Sequence, residues 1–378
     1  MAQIRIPLSS PDVTEADIQA VVSVLRTAQL SLGPQMKAFE QELAAYVGAA
    51  HAVAVNSGTS GLHLCVRGLG IGEGDEVILP SFTFIAAANV IRMERATPVF
   101  ADIDPITLNL DPAKVEAAIN SRTRALMIVH TFGRPAEMTP LLAIAKRHNL
   151  RIIEDACEAI GAEYHGQKVG PLGDAGVFAF YPNKQMTTGE GGMIVTNDKE
   201  LAATVRSLRN QGRRNTGDWF EHAELGYNYR LSEMNCALGL QQLRRIEDIL
   251  AKRAEVARWY DRRLRNNVSL ALPALDMAGC RISWFVYAVR LAPHFSREDR
   301  DAIVRQLGSE GIACGRYFAP IHLQPAYRSA AIPTNSLAAT QLAGERCIAL
   351  PFFNRITPAE VEEVCQRLEV AVRQARSS

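Results

Sequence analysis

Seven short apolar runs between residues 50 and 200 constrain this chain more than anything else in it. They read "AHAVAVN", "DEVILP", "TPVFADI", "RALMIVH", "RIIEDA", "GVFAFY" and "GGMIVT". Continuous apolar runs, as opposed to alternating ones, are the pattern of strands buried on both faces. Amphipathic stretches such as "TFIAAANVIRMER" and "MTPLLAIAKRHN" separate several of them. Asp111 and Pro112 open another helix, with an N-cap followed by proline in the first turn. Strands that alternate with helices predict an α/β fold, a mostly parallel doubly wound sheet with helices on both faces.

At 378 residues the chain exceeds the usual size of a single core. The pattern predicts a large α/β domain over 1–249, whose first 48 residues are helices packed around it, and a smaller C-terminal α+β domain over 250–378. One long helix is predicted from Ser232 toward Trp259, with apolar positions at Met234, Leu238, Leu243, Ile246, Ile249 and Leu250. Beyond it "RISWFVYAVRLA" reads as a strand. Ser296 with Asp299, and Thr357 with Glu360, read as helix-capping pairs.

Composition removes several classes of function. Net charge is +1, which gives no support to a nucleic-acid or acidic-membrane surface. No run reaches the roughly 18 apolar residues of a membrane span, and the N-terminus lacks a signal-peptide core. Seven scattered cysteines without CxxC spacing read as reduced, buried side chains of a cytoplasmic protein. Eight histidines without an HxxxH pair predict no metal centre.

Ligands of open α/β sheets gather at the carboxyl ends of the strands. Two candidates fall there, and a third lies in a bend between two strands. "AVAVNSGTSGLHL" carries Ser57, Gly58, Thr59 and Ser60 between a strand and a helix, which is either an ordinary N-cap or a phosphate cradle. In "RIIEDACEAIGA", Asp155 ends an apolar strand beside Glu154, either to meet a structural Arg or Lys or to hold a proton on a cofactor ring. "FAFYPNKQMTTGEGGMIVT" sets Lys184 in a Gly-rich bend between two strands, where a solvated turn lysine is the plain alternative. Together a phosphate cradle, a strand-end aspartate and a lysine are the parts needed to hold pyridoxal 5′-phosphate (PLP). Phosphate would sit at the helix start, Asp155 would keep the pyridine nitrogen protonated, and Lys184 would form the Schiff base.

Motifs in the same order strongly resemble the DegT/StrS family of PLP-dependent sugar aminotransferases over nearly the whole chain. They are "IPLSSPDVTEADI", "LGPQMKAFE", "NSGTSGLHL", "GDEVILPSFTF", "PVFADIDP", "EDACEAIGA", "FYPNKQMTTGEGGMIVTND", "SLRNQG" and "LGYNYRLSEMNCALGLQQL". The resemblance implies a type I aminotransferase fold and an obligate homodimer with shared active sites. It puts the Schiff-base lysine on Lys184, the pyridine-nitrogen aspartate on Asp155, phosphate contacts on Gly58 and Thr59, and the ring-stacking aromatic on Phe84. Without it Phe84 reads as a core residue. It also puts the asparagine that reaches the partner subunit's phosphate on Asn228, otherwise a turn residue. In the same loop Arg230 would meet a substrate phosphate or a surface carboxylate. Tyr317 and His322 in "GRYFAPIHLQPAY" resemble the family's substrate-side loop, with a packed loop histidine as the alternative.

Two positions depart from the family pattern. Ala179 stands where many relatives carry a phosphate-binding Ser. Glu158 stands where Gln is frequent near the phenolic oxygen, and its carboxylate would repel a phenolate unless protonated or paired. Relatives that remove a hydroxyl instead of transaminating carry His in place of the lysine, and Lys184 argues against that branch. The resemblance therefore implies ping-pong amino transfer from L-glutamate, or glutamine, to a nucleotide-linked keto-sugar. The product would serve a surface polysaccharide or a glycosylated metabolite. The alternatives are a keto-cyclitol or aminobenzoate precursor as acceptor, and a non-catalytic regulator that kept the fold.

Overall fold

The computed structural model describes residues 3–213, 221–328 and 336–375. All seven apolar runs are strands of one sheet: β1 (His51–Val55), β2 (Glu76–Pro80), β3 (Thr97–Ala101), β4 (Thr123–Val129), β5 (Arg151–Asp155), β6 (Ala175–Ala179) and β7 (Gly192–Thr196). Their order across the sheet is β1-β7-β6-β5-β4-β2-β3. Neighbours from β3 to β6 pair in parallel, while β7 runs antiparallel to both β6 and β1. Helices bury both faces. Phe39, Leu43, Ile128 and Ile152 belong to the core on one side, and Leu62, Val66, Leu79 and Ile153 to the core on the other. Because side chains alternate along a strand, Asp155 falls on the face of Ile153 and Glu154 on that of Ile152.

Before β1 lie two helices, Glu15–Leu25 and Pro34–Val47. Phe39 and Leu43 of the second are fully buried. Its first turn is capped from afar: the Glu233 carboxylate accepts from the N–H groups of Gly33 (3.0 Å), Gln35 (2.8 Å) and Met36 (2.9 Å). A carboxylate at a helix N-terminus meets both the free donors and the positive end of the dipole.

The predicted long helix is two helices, Glu233–Arg244 and Ile246–Leu264, broken at Arg245 with φ −115° and ψ 18°. Arg245 is drawn aside to Asp12 (3.2 Å) and Asp17 (3.0 Å). Ile249 and Leu250 pack in the sheet's core, whereas Val256, Tyr260 and Leu264 pack in a separate C-terminal core. Apolar positions continue across the break because both halves are buried, which is why the periodicity conceals it.

The C-terminal core surrounds a three-stranded antiparallel sheet of Leu270–Ala271, Tyr287–Leu291 and Cys347–Leu350. Both capping pairs form: Ser296 with Asp299, and Thr357 with Glu360. "RISWFVYAVRLA" is only partly strand. Tyr287–Leu291 pairs, but residues 282–286 leave the ladder, and there Ser283 and Phe285 turn toward the Lys184 bend. No helix among the described residues is long and apolar enough to cross a membrane.

Candidate active site

At the carboxyl edge of β1, β5 and β6 lies a cavity of about 530 Å³ whose walls include Gly58, Thr59, Phe84, Asp155, Glu158, Lys184 and Tyr317. Its first wall is the start of the Gly58–Gly68 helix, which follows β1 after a single turn. Ser57 caps that helix by accepting from the Ser60 N–H (3.0 Å). The N–H groups of Gly58 and Thr59 make no hydrogen bond among the described residues. Two free donors at the positive end of an 11-residue helix form a receptor for an anion. Gly61 lets the helix settle on the sheet, since a Cβ there would lie 2.6 Å from Val177 Cγ1.

The paired acids that end β5 have opposite fates. Glu154, fully buried, is saturated: it takes His130 Nε2 (2.9 Å) and the N–H groups of Gly170 (2.8 Å) and Gly173 (2.6 Å). Asp155 is only 7% exposed, yet among the described residues its carboxylate accepts only the Cys157 N–H, at 3.2 Å, with the Cys157 thiol nearby. No Arg, Lys or His among the described residues lies within ion-pair distance of it. Among the described residues no structural Arg or Lys therefore pairs with Asp155, and its carboxylate opens on the cavity.

Lys184 stands in the bend that joins β6 to β7. Gly189 takes φ +81° in that bend, and a Cβ on Gly192 would lie 2.6 Å from the Ser57 carbonyl. The glycines thus press the lysine bend against the helix start. Lys184 Nζ sits 3.4 Å from Glu158 Oε1 and 4.1 Å over the Phe285 ring. Gln185 fixes the next residue, donating to the Glu158 carbonyl (2.5 Å) and to Ser283 Oγ (2.9 Å).

Glu158 is paired as its position demands, by Lys184 and by the Phe132 N–H (3.0 Å). Burial pushes its carboxyl above the usual range, and the Lys184 amine and Phe132 N–H oppose that shift. Ala179 also lines the cavity, close enough that a Cβ on Gly58 would meet its own at 2.7 Å. Phe84 is no core residue: it is 62% exposed at the cavity. The Tyr317 ring lies parallel to Phe285, 6.3 Å away with 1° between planes. Burial pushes its phenol up.

Three of the residues singled out from the sequence do not line the cavity. Asn228 is exposed, its backbone bridged to Asn210. Arg230 donates to Asn210 Oδ1 (3.0 Å), and no carboxylate among the described residues pairs with it. His322 is held by Ser81 Oγ at 2.7 Å and Gln341 Nε2 at 3.3 Å, half-buried, with its pKa lowered by burial. Phe285, Gln185 and Cys157 were not legible beforehand. Gln185 and Cys157 sit inside the Lys184 and Asp155 motifs without a charge to mark them, and Phe285 comes from a segment that reads as plain strand. Among the described residues no cluster of His, Cys, Asp and Glu could hold a metal ion.

With one antiparallel strand in an otherwise parallel seven-stranded sheet and a lysine cavity at its carboxyl edge, this is the type I fold of PLP-dependent aminotransferases. The Streptococcus pneumoniae protein Spr1654, solved in its PLP form, superposes with a TM-score of 0.93 at 28% identity, over 98% of this chain and 99% of that one. The chain belongs to the DegT/DnrJ/EryC1/StrS aminotransferase family, whose profile matches residues 11–369. It is 42% identical to the GDP-perosamine synthase of Caulobacter vibrioides over 97% of this chain and 98% of that protein. It is 36% identical to the spore coat polysaccharide biosynthesis protein SpsC of Bacillus subtilis, over 98% of each. The protein is thus a sugar aminotransferase.

Proposed function

We propose that this aminotransferase moves an amino group from L-glutamate, or glutamine, to the ketone of a nucleotide-linked keto-sugar, with PLP as cofactor. The observation that carries the reading is Asp155, a buried carboxylate with no cation paired to it among the described residues, in one cavity with a lysine amine and two helix N–H groups that none of those residues takes. Each feature is costly or idle in an empty protein and useful to a phosphorylated pyridine. The cavity is also of the size that small cofactors fill.

PLP, when bound, supplies an aldehyde to take up the amine and a ring that draws electrons from the substrate carbon. Gly58 and Thr59 N–H groups would bind its phosphate, Asp155 would hold the proton on the ring nitrogen, and Phe84 would cover the ring. Lys184 Nζ would anchor the cofactor and then move the proton exchanged at the substrate carbon. Glu158 Oε1 lies within reach of that amine and would share its proton near the phenolic oxygen. Tyr317 would face the sugar. In a homodimer of the family type, Asn228 and Arg230 would leave their own chain's cavity and serve the partner's, which suits the exposure of Asn228. His322 has no part in this reading.

The likeness to a GDP-perosamine synthase favours a GDP-linked acceptor and an amino-sugar product destined for a polysaccharide. A boundary near residues 249 and 250, dividing a cofactor-binding unit from a C-terminal one, fits the two separate cores. A cytoplasmic setting fits the supply of nucleotide sugars. The test is a panel of GDP-, UDP- and dTDP-linked keto-sugars assayed with glutamate and with glutamine. Turnover of one nucleotide class supports the reading, and turnover of keto-cyclitols alone would replace it.

A further inference from the structure

The segment around Asn228 belongs to no helix or strand, yet it is tightly held. Tyr227 N–H donates to the Leu208 carbonyl (2.6 Å), Tyr229 N–H to that of Arg209 (3.0 Å), and Asn56 N–H to that of Tyr229 (2.9 Å). Successive side chains of an extended segment point to opposite sides. Here two tyrosines turn inward while Asn228 turns out to solvent. Their rings stack, 4.9 Å apart with 11° between planes.

Both hydroxyls end on one buried pair. Tyr227 Oη donates to Glu94 Oε1 at 3.2 Å, and Tyr229 Oη meets His63 Nδ1 at 3.2 Å. His63 Nε2 lies 2.7 Å from the same Glu94 oxygen, and Arg67 completes the carboxylate at 3.0 Å. The two ring nitrogens of His63 thus tie the Glu94 carboxylate to the Tyr229 hydroxyl. His63 is 4% exposed and Glu94 9%, so neither exchanges freely with water. His63 belongs to the Gly58–Gly68 helix, whose first turn is the anion receptor. Asn56, just before that helix, takes the Ser60 hydroxyl at 2.6 Å and donates to the Asn228 carbonyl at 3.4 Å.

We infer that Tyr227 and Tyr229, held by His63 and Glu94, are positioning residues for Asn228, and that they act on the partner subunit's cofactor site rather than on their own. The inference rests on the shared-site reading above. Two hydroxyls on buried partners fix the tilt of both rings, and the side chain of the residue between them makes no hydrogen bond among the described residues. Loosening the rings leaves the backbone ladder in place but frees the direction of the Asn228 side chain.

The test uses the double variant Tyr227→Phe/Tyr229→Phe, which keeps both rings and their stack. PLP is titrated into apoprotein and fixed with borohydride, so that only cofactor joined to Lys184 is counted. The homodimer should need about fivefold to thirtyfold more PLP, the effect of two lost hydrogen bonds. Two mixed dimers, purified with different tags, then locate the effect. Pairing the double-Phe chain with a Lys184→Ala chain leaves the one lysine served by an intact loop, and its PLP affinity should be that of wild type. Pairing wild type with the triple variant Tyr227→Phe/Tyr229→Phe/Lys184→Ala leaves the one lysine served by a loosened loop, and the full loss should return. The opposite pattern, or equal loss in both pairings, overturns the inference and makes the tyrosines supports of their own chain's helix. Asn228→Asp in the same pairings is the control. If it too weakens the site of its own chain, the shared-site reading has failed and takes the inference with it; if only the tyrosines do, that reading stands and the inference alone falls.

Discussion

Replacing Asp155 by Asn should move stability and activity in opposite directions. The carboxylate is 7% exposed and, among the described residues, pairs with no cation and accepts only the Cys157 N–H. A buried ion without a partner costs several kcal/mol even after relaxation. Residual water contact and the field of nearby Lys184 offset part of that. An asparagine keeps the shape and can still accept the Cys157 N–H through its oxygen. The apoprotein should therefore gain about 1–3 kcal/mol, or about 1–4 °C in melting midpoint at ~2 cal/mol/K of unfolding entropy per residue. Turnover should fall at least about a hundredfold, because a charge aimed at the reacting system is gone. Calorimetry of apoprotein and steady-state rates of loaded enzyme read the two effects separately. A destabilised Asn variant would show that Asp155 is structural. One that keeps most of its activity would show that it does not hold the ring proton.

Lys184→Ala should abolish turnover while far-ultraviolet dichroism stays that of wild type, since the lysine's neighbours are one carboxylate and one ring face; wild-type-like turnover would remove the lysine from the mechanism. Ala179→Ser should tighten PLP binding about fivefold, the worth of one added hydrogen bond of roughly 1 kcal/mol; weaker binding on equilibrium dialysis would mean that another group already fills the place. Glu158→Gln tests a pH dependence. The folded carboxyl is raised by burial, so the native state holds its proton longer than the unfolded one, and this group's contribution to stability falls as pH rises past about 4.5. Measured by urea unfolding of apoprotein, the Gln variant should gain on wild type as pH rises above about 4.5; a flat difference would mean that Lys184 fully offsets the burial.

What the sequence revealed and what it hid divide along a physical line. Strands buried on both faces must be apolar throughout, so all seven could be read from "AHAVAVN" to "GGMIVT". Asp155 and Lys184 were visible because charges at the ends of such runs break the pattern. Strand order was not, because nothing in "GGMIVT" says that it slots antiparallel between β1 and β6. Arg245 broke a helix without a proline or glycine, pulled by acids more than 200 residues away in sequence. Phe285 reached the lysine from a segment that reads as strand, and Glu233 capped a helix that begins 200 residues earlier in the chain. All of these are contacts between segments far apart in the chain, which leave no period and no local signature.

The place of β7 also bears on how the protein comes to exist. His51 of β1 pairs with Thr196 of β7, so the two strands close a loop of about 140 residues. Entropy makes such closures slow, and parallel strands must wait for their crossovers. The helix start after β1 and the lysine bend before β7 are synthesised far apart and meet only when this last pairing forms. A chain still emerging or partly folded has an apolar β1 with no neighbour and nothing that can hold a cofactor. Cofactor uptake would then report completion of the whole sheet, and a cell rich in PLP would pull late folding intermediates forward by mass action.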